Sequence, residues 1–472
     1  MVSASGTARQ VQPGVILTVL SLAALAYSVL SSAVIPALPE LQAGLHASET
    51  GITWLLTGFL LSASVGTAII GKLGDMYGKR RLLIGTLLVL AAGTLLAALA
   101  GSLPMLIAAR VIQGVAGGIF PLSFSIARDQ FPPERVAGSI GLMSAILGIG
   151  GGLGLLAGGL IAEHLSWHWL FWIPLAAMIL AAACTWRFLP DSPVRSPGRV
   201  NWAAAVLLVT GMSGVLLGIA QTSVWGWGST RTLALLAAGL VLCAGWILVE
   251  VRSRSPLISM RMMRQRGVWT VNLAAFLIGA GMYSLFLLLP QLAQLPASTG
   301  FGYGASVVAA GLYLLPCALG MGVLGSVAGR VERRFGSRQA LVTGAAVSAA
   351  ACGLLTAASR YPAAMLLSSA LLGVGIGLAF AALGNLIVQA VPASDTGAAS
   401  GMNTVLRTLG GALGGQVAAT FIAGSTLRGL PALTGFTRTF AMAALVLAGC
   451  AAAGLLIPGR ALAAAPEEVR VG

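Results

Sequence analysis

Apolar windows of roughly 20 residues, the length a helix needs to cross a bilayer core of about 30 Å, recur along the chain from Val15 to Ile457. Short segments rich in charge, glycine and proline separate them. The pattern predicts fourteen spans, at 15–38, 52–71, 82–101, 104–127, 138–161, 169–189, 202–221, 232–251, 268–290, 305–328, 339–358, 363–391, 399–422 and 438–457. The first window is long, follows a nearly uncharged leader and lacks the small-residue cleavage pattern of a secretory signal, so it is expected to stay as a helix. The expected fold is an all-α polytopic membrane protein, with no room between spans for a soluble catalytic domain.

Composition agrees. Of 472 residues, 57% are hydrophobic and only 8% charged, where a soluble domain carries about 25% charged residues. The net charge of +15 points elsewhere than nucleic acid once the charges are placed. With a cytoplasmic N-terminus, the inner segments hold 21 of the 27 basic residues, from Arg9 through Arg195, Arg199 and Arg254 to Arg460 and Arg470; the outer loops hold four, Arg231, Arg360, Arg428 and Arg438. That asymmetry puts both termini in the cytoplasm of a multi-pass protein and turns the arginines toward anionic lipid. The alanine- and arginine-rich composition suggests a high-GC bacterial source and hence a cell membrane. Five scattered cysteines (Cys184, Cys243, Cys317, Cys352 and Cys450), all inside apolar windows, indicate neither a disulfide framework nor a metal cluster. No cofactor is expected, and the chain is expected to act as a monomer.

The chain partly repeats itself. "GKLGDMYGKRRLLIG" (71–85) joins helices 2 and 3, and "GRVERRFGSRQALVTG" (329–344) joins helices 10 and 11. Two related halves give candidate units 1–190 and 268–472, each a six-helix bundle, with two inserted helices and a linker at 191–267. Duplicated halves with a substrate site between them are a common plan of secondary transporters.

The first of these stretches resembles the loop signature of the major facilitator superfamily, matched in order by Gly71, Asp75, Gly78, Lys79 and Arg80. The resemblance implies the major facilitator fold, with fourteen transmembrane helices arranged as two six-helix bundles plus two inserted helices. Gly71 and Gly78 permit a tight turn, while Asp75 can pair with a loop arginine or cap a neighbouring helix N-terminus. Either contact would latch the cytoplasmic ends of the halves together. The second copy departs from the pattern, with Arg333 where the acid is expected and Glu332 one residue earlier.

Helix 4 carries "RVIQGVAGG", similar to the family's intramembrane arginine motif at Arg110, Gln113 and Gly114; an arginine at this depth must face a partner or a wet cavity. Arg407 in "NTVLRTLGGALGG" is a second such residue, for which a site role and a structural role stay equally open. Helix 5 reads "GIGGGLGLLAGGL", whose Gly150, Gly154, Gly158 and Gly159 make a face for close helix approach. It resembles the exporter branch's motif with Leu155 in place of the usual proline. "LSWHWLFWIP" (165–174) looks like the entry to helix 6 in the fourteen-helix drug:proton antiporter branch, its tryptophans suited to the outer interface.

That branch usually has an aspartate in helix 1, where this chain has Leu30, Ser31 and Ser32, and all twelve acids are expected at helix ends, in loops or in tails. Proton coupling could then use Glu40 or Glu163 at the outer rim, or His164 or His168. Otherwise the protein could be a uniporter or exchange anions against Arg110 and Arg407. Candidate lining groups, polar or aromatic within spans, are Tyr27, Gln113, Phe120, Asn272, Tyr283, Tyr313 and Asn385, each equally open to a packing role. The implied function is export of a small amphiphilic, drug-like or natural-product molecule by alternating access, with protons as a candidate coupling ion. A sensor that kept a transporter scaffold stays open. An enzyme is not expected, since neither an HExxH stretch nor a nucleotide-binding GxxxxGK[ST] loop occurs.

Overall fold

A computed structural model describes residues 12–191, 200–253, 255–427 and 430–458. Arg9, Arg195, Arg199, Arg254, Arg428, Arg460 and Arg470, used in the charge reading, lie outside the described residues, as do Glu467 and Glu468.

Fourteen helices of 19 residues or more run through the described chain. They are α1 (Pro13–Ala33), α2 (Glu49–Tyr77), α3 (Lys79–Ala98), α4 (Leu103–Gln130), α5 (Pro133–His164), α6 (Trp169–Phe188) and α7 (Trp202–Ala220). Then follow α8 (Thr230–Arg252), α9 (Arg266–Gln294), α10 (Val307–Phe335), α11 (Ser337–Ala358), α12 (Pro362–Gln389), α13 (Thr396–Ala423) and α14 (Leu433–Leu455). Thirteen are apolar enough to span a membrane by composition alone. The other, α13, is diluted by Ser400, Asn403, Thr404, Arg407, Thr408 and Gln416, and it packs on α2, α4, α9 and α14.

Local chemistry sets the helix ends. Proline occupies the first turn of α1, α4, α5 and α12, where its missing N–H costs nothing. Ser48 caps α2 by accepting the Gly51 N–H at 3.0 Å, and Ser306 does the same for α10 through Ala309 at 3.2 Å. Gly78, at φ +104°, and Gly336, at φ +85°, each form the entire joint between two long helices. A side chain at either φ would be strained, so the two related stretches make the same one-residue hinge. Inside α4 the ladder tightens into a 3-10 turn at Val115–Gly118. There Gly114, Gly117 and Gly118 let α2 approach closely: a Cβ on Gly114 would lie 2.4 Å from the Phe59 carbonyl.

The helices pack as α1 on α5 and α6, α2 on α4, and α3 on α4 and α6; farther along, α9 packs on α13 and α14, α10 on α12, and α11 on α12 and α14. The first set and the second meet along two seams, α2 with α13 and α5 with α10. The inserted α7 and α8 pair with each other, and α7 also touches both α2 and α13, lying over one of those seams. The joints α2–α3, α4–α5, α10–α11 and α12–α13 gather at one end, where Asp75, Arg128 and Asn385 bond across. This is called the basic end below.

Candidate functional site

At the basic end the two halves interlock through Asp75. The helix α2 runs on past the apolar window to Tyr77, so Asp75 is helical and 1% exposed rather than in a loop. Its Oδ1 accepts the Gly397 N–H at 3.2 Å and the Ser125 hydroxyl at 3.2 Å, and its Oδ2 accepts the Ala398 N–H at 3.0 Å. Those N–H groups are unsatisfied donors of the first turn of α13, where the helix dipole also favours an anion. The approach is possible because Gly71 faces Gly397: a Cβ on Gly71 would lie 2.2 Å from the Gly397 carbonyl oxygen.

Basic residues surround this contact. Lys79 is 3.9 Å from Asp75 and donates to Asp129 at 2.6 Å, with no exposed side-chain surface. Arg80 turns away to Asp191, at 3.6 Å, and donates to the Trp186 carbonyl. Asp75 therefore pairs with Lys79 and a helix N-terminus, not with an arginine of its own stretch. Arg128 reaches the other half, donating to the Val391 carbonyl and the Thr396 hydroxyl, each at 2.8 Å. Lys72 reaches Asp395 at 3.5 Å.

The second copy is also engaged, though differently. Glu332 is 6% exposed, near the end of α10, and accepts from Ser337 and from Asn385, the latter at 3.0 and 2.9 Å. Asn385 also donates to the Ala137 carbonyl of α5 at 3.2 Å. An acid one residue earlier than expected thus works through an amide. Glu250, expected at a helix end, is 2% exposed in the last turns of α8, where it accepts from the Trp246 indole and the Leu257 N–H.

Helix α5 carries two glycine faces. Gly150, Gly154 and Gly158 turn to α1; a Cβ on Gly158 would lie 2.0 Å from the Ala33 carbonyl. Gly148 and Gly152 turn to α10, against Met321 and Ala318, while Gly138 lies against Gly329. Gly159 is half-buried. With Leu155 in the proline position α5 is one unbroken helix of 32 residues.

The two intramembrane arginines have different surroundings. Arg110 is wholly buried; it donates to the Leu55 carbonyl at 3.3 Å and to Gln113 Oε1 at 2.9 Å, under the Phe59 ring at 4.2 Å. Gln113 donates on to Thr94 at 3.2 Å. Arg407 is half-buried, and its guanidinium lies over the Phe380 ring at 4.6 Å. Tyr27 stacks on Phe59 at 6.0 Å and meets the edge of Phe120 at 6.2 Å, and it lies within electrostatic reach of Tyr283 and Arg110. Tyr283 is 39% exposed and lies within electrostatic reach of Arg407.

Other expected lining groups lie elsewhere. Asn272 is buried between α9 and α13, accepting from Asn403 at 3.0 Å, and Asn385 belongs to the basic-end contact. Tyr313 packs at 5.5 Å on Tyr303, at the opposite end. Tyr303 donates to the Ser359 carbonyl at 2.7 Å; burial, then the Tyr313 phenol, pushes its hydroxyl up to about 12. At the rim Glu163 and His164 are exposed, Glu40 is half-buried, and His168 stacks on Trp167 at 3.6 Å.

Residues 20–415 match the family model described as Major Facilitator Superfamily. The chain belongs to that superfamily. It is a membrane transporter, not an enzyme. A tetracenomycin C resistance and export protein of Streptomyces glaucescens is 31% identical over 80% of this chain and 70% of its own length. A cephamycin export protein of Amycolatopsis lactamdurans is 32% identical over 91% of this chain and 89% of its own. Multidrug resistance protein 3 of Bacillus subtilis is 28% identical over 76% and 70%. Among solved structures, the fold is shared with a proton:xylose symporter at 14% identity, TM-score 0.68, covering 94% of this chain and 96% of that one.

Several contacts in this chain were not singled out from sequence. Arg128 and Asp129, adjacent at the end of α4, bond respectively to the other half and to Lys79, at a position that composition marks as topogenic rather than bridging. Gly397 and Gly401 on α13 pair with Gly71 and Thr67, and their only signal is the fourfold spacing. Phe59 and Phe380 read as ordinary apolar residues, and only the fold lays each beneath an arginine.

Proposed function

We propose that this transporter exports a small amphiphilic molecule from the cytoplasm across a cell membrane, by rocking bundles 1–190 and 268–472 against each other. The basic end faces the cytoplasm, following the positive-inside rule. The single observation that carries the reading is Asp75 seated on the first turn of α13 with Gly71 against Gly397. A few short bonds close that end, and breaking them would open a path to the cytoplasm. The stretch Gly71–Arg80 is the latch, with Gly78 as its joint. The glycine face Gly150, Gly154, Gly158 and Gly159 serves as a sliding surface inside the first bundle. Drug and antibiotic exporters among the relatives support the direction and the substrate size.

Transport without a membrane-embedded carboxylate is favoured over proton antiport by the acid distribution. Among the described acids, Asp75, Asp129, Glu134, Asp191, Glu250, Glu332 and Asp395 lie toward the basic end, and Glu40, Glu163 and, at the first position of α2, Glu49 toward the other. The test is flux in inside-out vesicles with and without an imposed pH gradient. Gradient-independent, saturable flux is expected; flux that collapses with the gradient restores proton antiport, and no flux of any amphiphile leaves a sensor.

A further inference from the structure

Arg407 is the twelfth residue of the 28 in α13, near the middle of a helix packed inside the bundle. Its backbone is clamped: a Cβ on Gly279 of α9 would lie 2.1 Å from its carbonyl oxygen, and Gly410 and Gly414 fit equally tightly against Phe276 and Ala280. The guanidinium rests on Phe380 and makes no hydrogen bond or ion pair with any described residue. Arg110 differs in that its own half supplies the Leu55 and Gln113 oxygens to Nε and Nη1 and leaves it no exposed surface, although its Nη2 bonds to no described residue. An arginine at membrane depth is costly unless something accepts its hydrogen bonds. No described carboxylate lies near the middle of the bundle to do so.

The surroundings supply the rest of a binding site. Tyr283 lies one turn along α9 from Gly279, and its ring packs on Gly411, one turn along α13 from Arg407. It keeps 39% of its surface free. Tyr27 of the first bundle lies within electrostatic reach of Tyr283, and neither phenol bonds to a described residue. The fixed fork of N–H donors on Arg407, the exposed Tyr283 phenol and, from the other bundle, the Tyr27 phenol thus lie near one another, with Phe380 buried beneath the guanidinium.

We propose that Arg407 is the anion-binding residue of the transport site, and that the substrates are amphiphiles carrying a carboxylate, sulfonate or acidic phenol. The acidic head docks on the Arg407 guanidinium, whose planar geometry suits two parallel hydrogen bonds. Tyr283 donates beside it, and the aromatic body lies along the exposed Tyr283 ring. This deepens the export reading and rests on it for the site's use, but not for its existence.

The probes are fluorescein and rhodamine 123, which share a xanthene frame and carry opposite charge at neutral pH. Binding to the purified full chain is read by fluorescence anisotropy, and flux by uptake into inside-out vesicles. Fluorescein is expected to bind and be transported in preference to rhodamine 123. Arg407→Gln is expected to weaken fluorescein binding roughly tenfold or more, the loss of a charge-assisted pair. Arg407→Lys is expected to recover part of it, since charge remains and the fork does not. Size-exclusion profiles matching the wild type establish that both variants fold. Fluorescein binding without flux of either dye supports the anion site and removes the export reading. Rhodamine flux without fluorescein binding keeps transport and overturns the anion site. Unchanged fluorescein binding in Arg407→Gln also overturns it.

Discussion

The Asp75 carboxylate of α2 accepts the Ala398 N–H of α13 at 3.0 Å, a side chain of one bundle completing the helix start of the other. Charge-assisted bonds to a buried anion contribute about 1.5–3 kcal/mol each. Loss of Asp75 therefore shifts the balance between closed and open basic ends by a factor of roughly ten or more. Ser400→Cys, at a position 2% exposed on α13, reports on that opening through its alkylation rate. Asp75→Ala is expected to speed alkylation about tenfold, with Asp75→Asn in between because it keeps an acceptor without the charge. Equal rates in all three backgrounds would show that the contact does not hold the seam.

Much of this arrangement was legible beforehand and some was not, for physical reasons. Apolar windows locate helices because lipid demands them, so the fourteen spans came out in the right order. The same windows stop at the first charges, whereas α2 and α10 continue to Tyr77 and Phe335. Asp75 and Glu332 consequently read as loop residues and are in fact buried in helices, while Glu250 is at a helix end as expected but buried as well. Donors from neighbouring helices for Asp75 and Glu332, and for Glu250 the Trp246 indole of its own helix with the Leu257 N–H, make that burial tolerable. Trp246 and Glu250 are four apart in one helix, but no pattern within one segment reveals the donors that come from other helices.

The closeness of α2 to α13 predicts the effect of one methyl group. A Cβ on Gly71 would lie 2.2 Å from a backbone carbonyl, and backbone cannot swing aside. Gly71→Ala is expected to hold the basic end apart at a cost of about 1–3 kcal/mol and to lower flux in vesicles severalfold. Gly85→Ala on α3, with nothing within 4 Å of its new Cβ, is the matched control and should transport normally. Similar flux in both variants would refute the close-packed seam.

Inside the first bundle the argument repeats without any seam. A Cβ on Gly154 would lie 2.1 Å from Ser32 Oγ and 2.4 Å from the Val29 carbonyl, and Ser32 already donates to the Gly151 carbonyl at 2.8 Å. Gly154→Ala is expected to lose about 1–3 kcal/mol of stability, seen as a lower unfolding midpoint in detergent. Gly151→Ala, one helical turn back with nothing within 4 Å, should unfold at or above the wild-type midpoint, because alanine favours helix. A drop in both would mean that α5 tolerates no side chain on either face.

Glu332 and Asn385 give the second copy a separable role. Asn385→Ala removes the donor to both Glu332 and the Ala137 carbonyl, leaving Glu332 with Ser337 alone at a cost of about 1–3 kcal/mol. The basic end should open as in Asp75→Ala, and the double variant should open further, since the two contacts join different helix pairs. Non-additive opening would instead place both contacts in one cooperative unit.

Arg110 and Arg407 look alike in sequence, yet their bonding predicts opposite behaviour on substitution. Arg110→Gln deprives Gln113 Oε1 of its donor and leaves the Leu55 carbonyl only its helical N–H, inside a sealed cluster where an unmet group costs about 1–3 kcal/mol. Arg407→Gln takes nothing from a described partner beyond the contact with Phe380, worth about 0.5–2 kcal/mol. It also relieves an unpaired charge. Thermal unfolding in detergent should therefore show Arg110→Gln clearly destabilised and Arg407→Gln near or above the wild type. Equal destabilisation would mean that Arg407 is held by the protein after all, and that the open face beside Tyr283 needs another explanation.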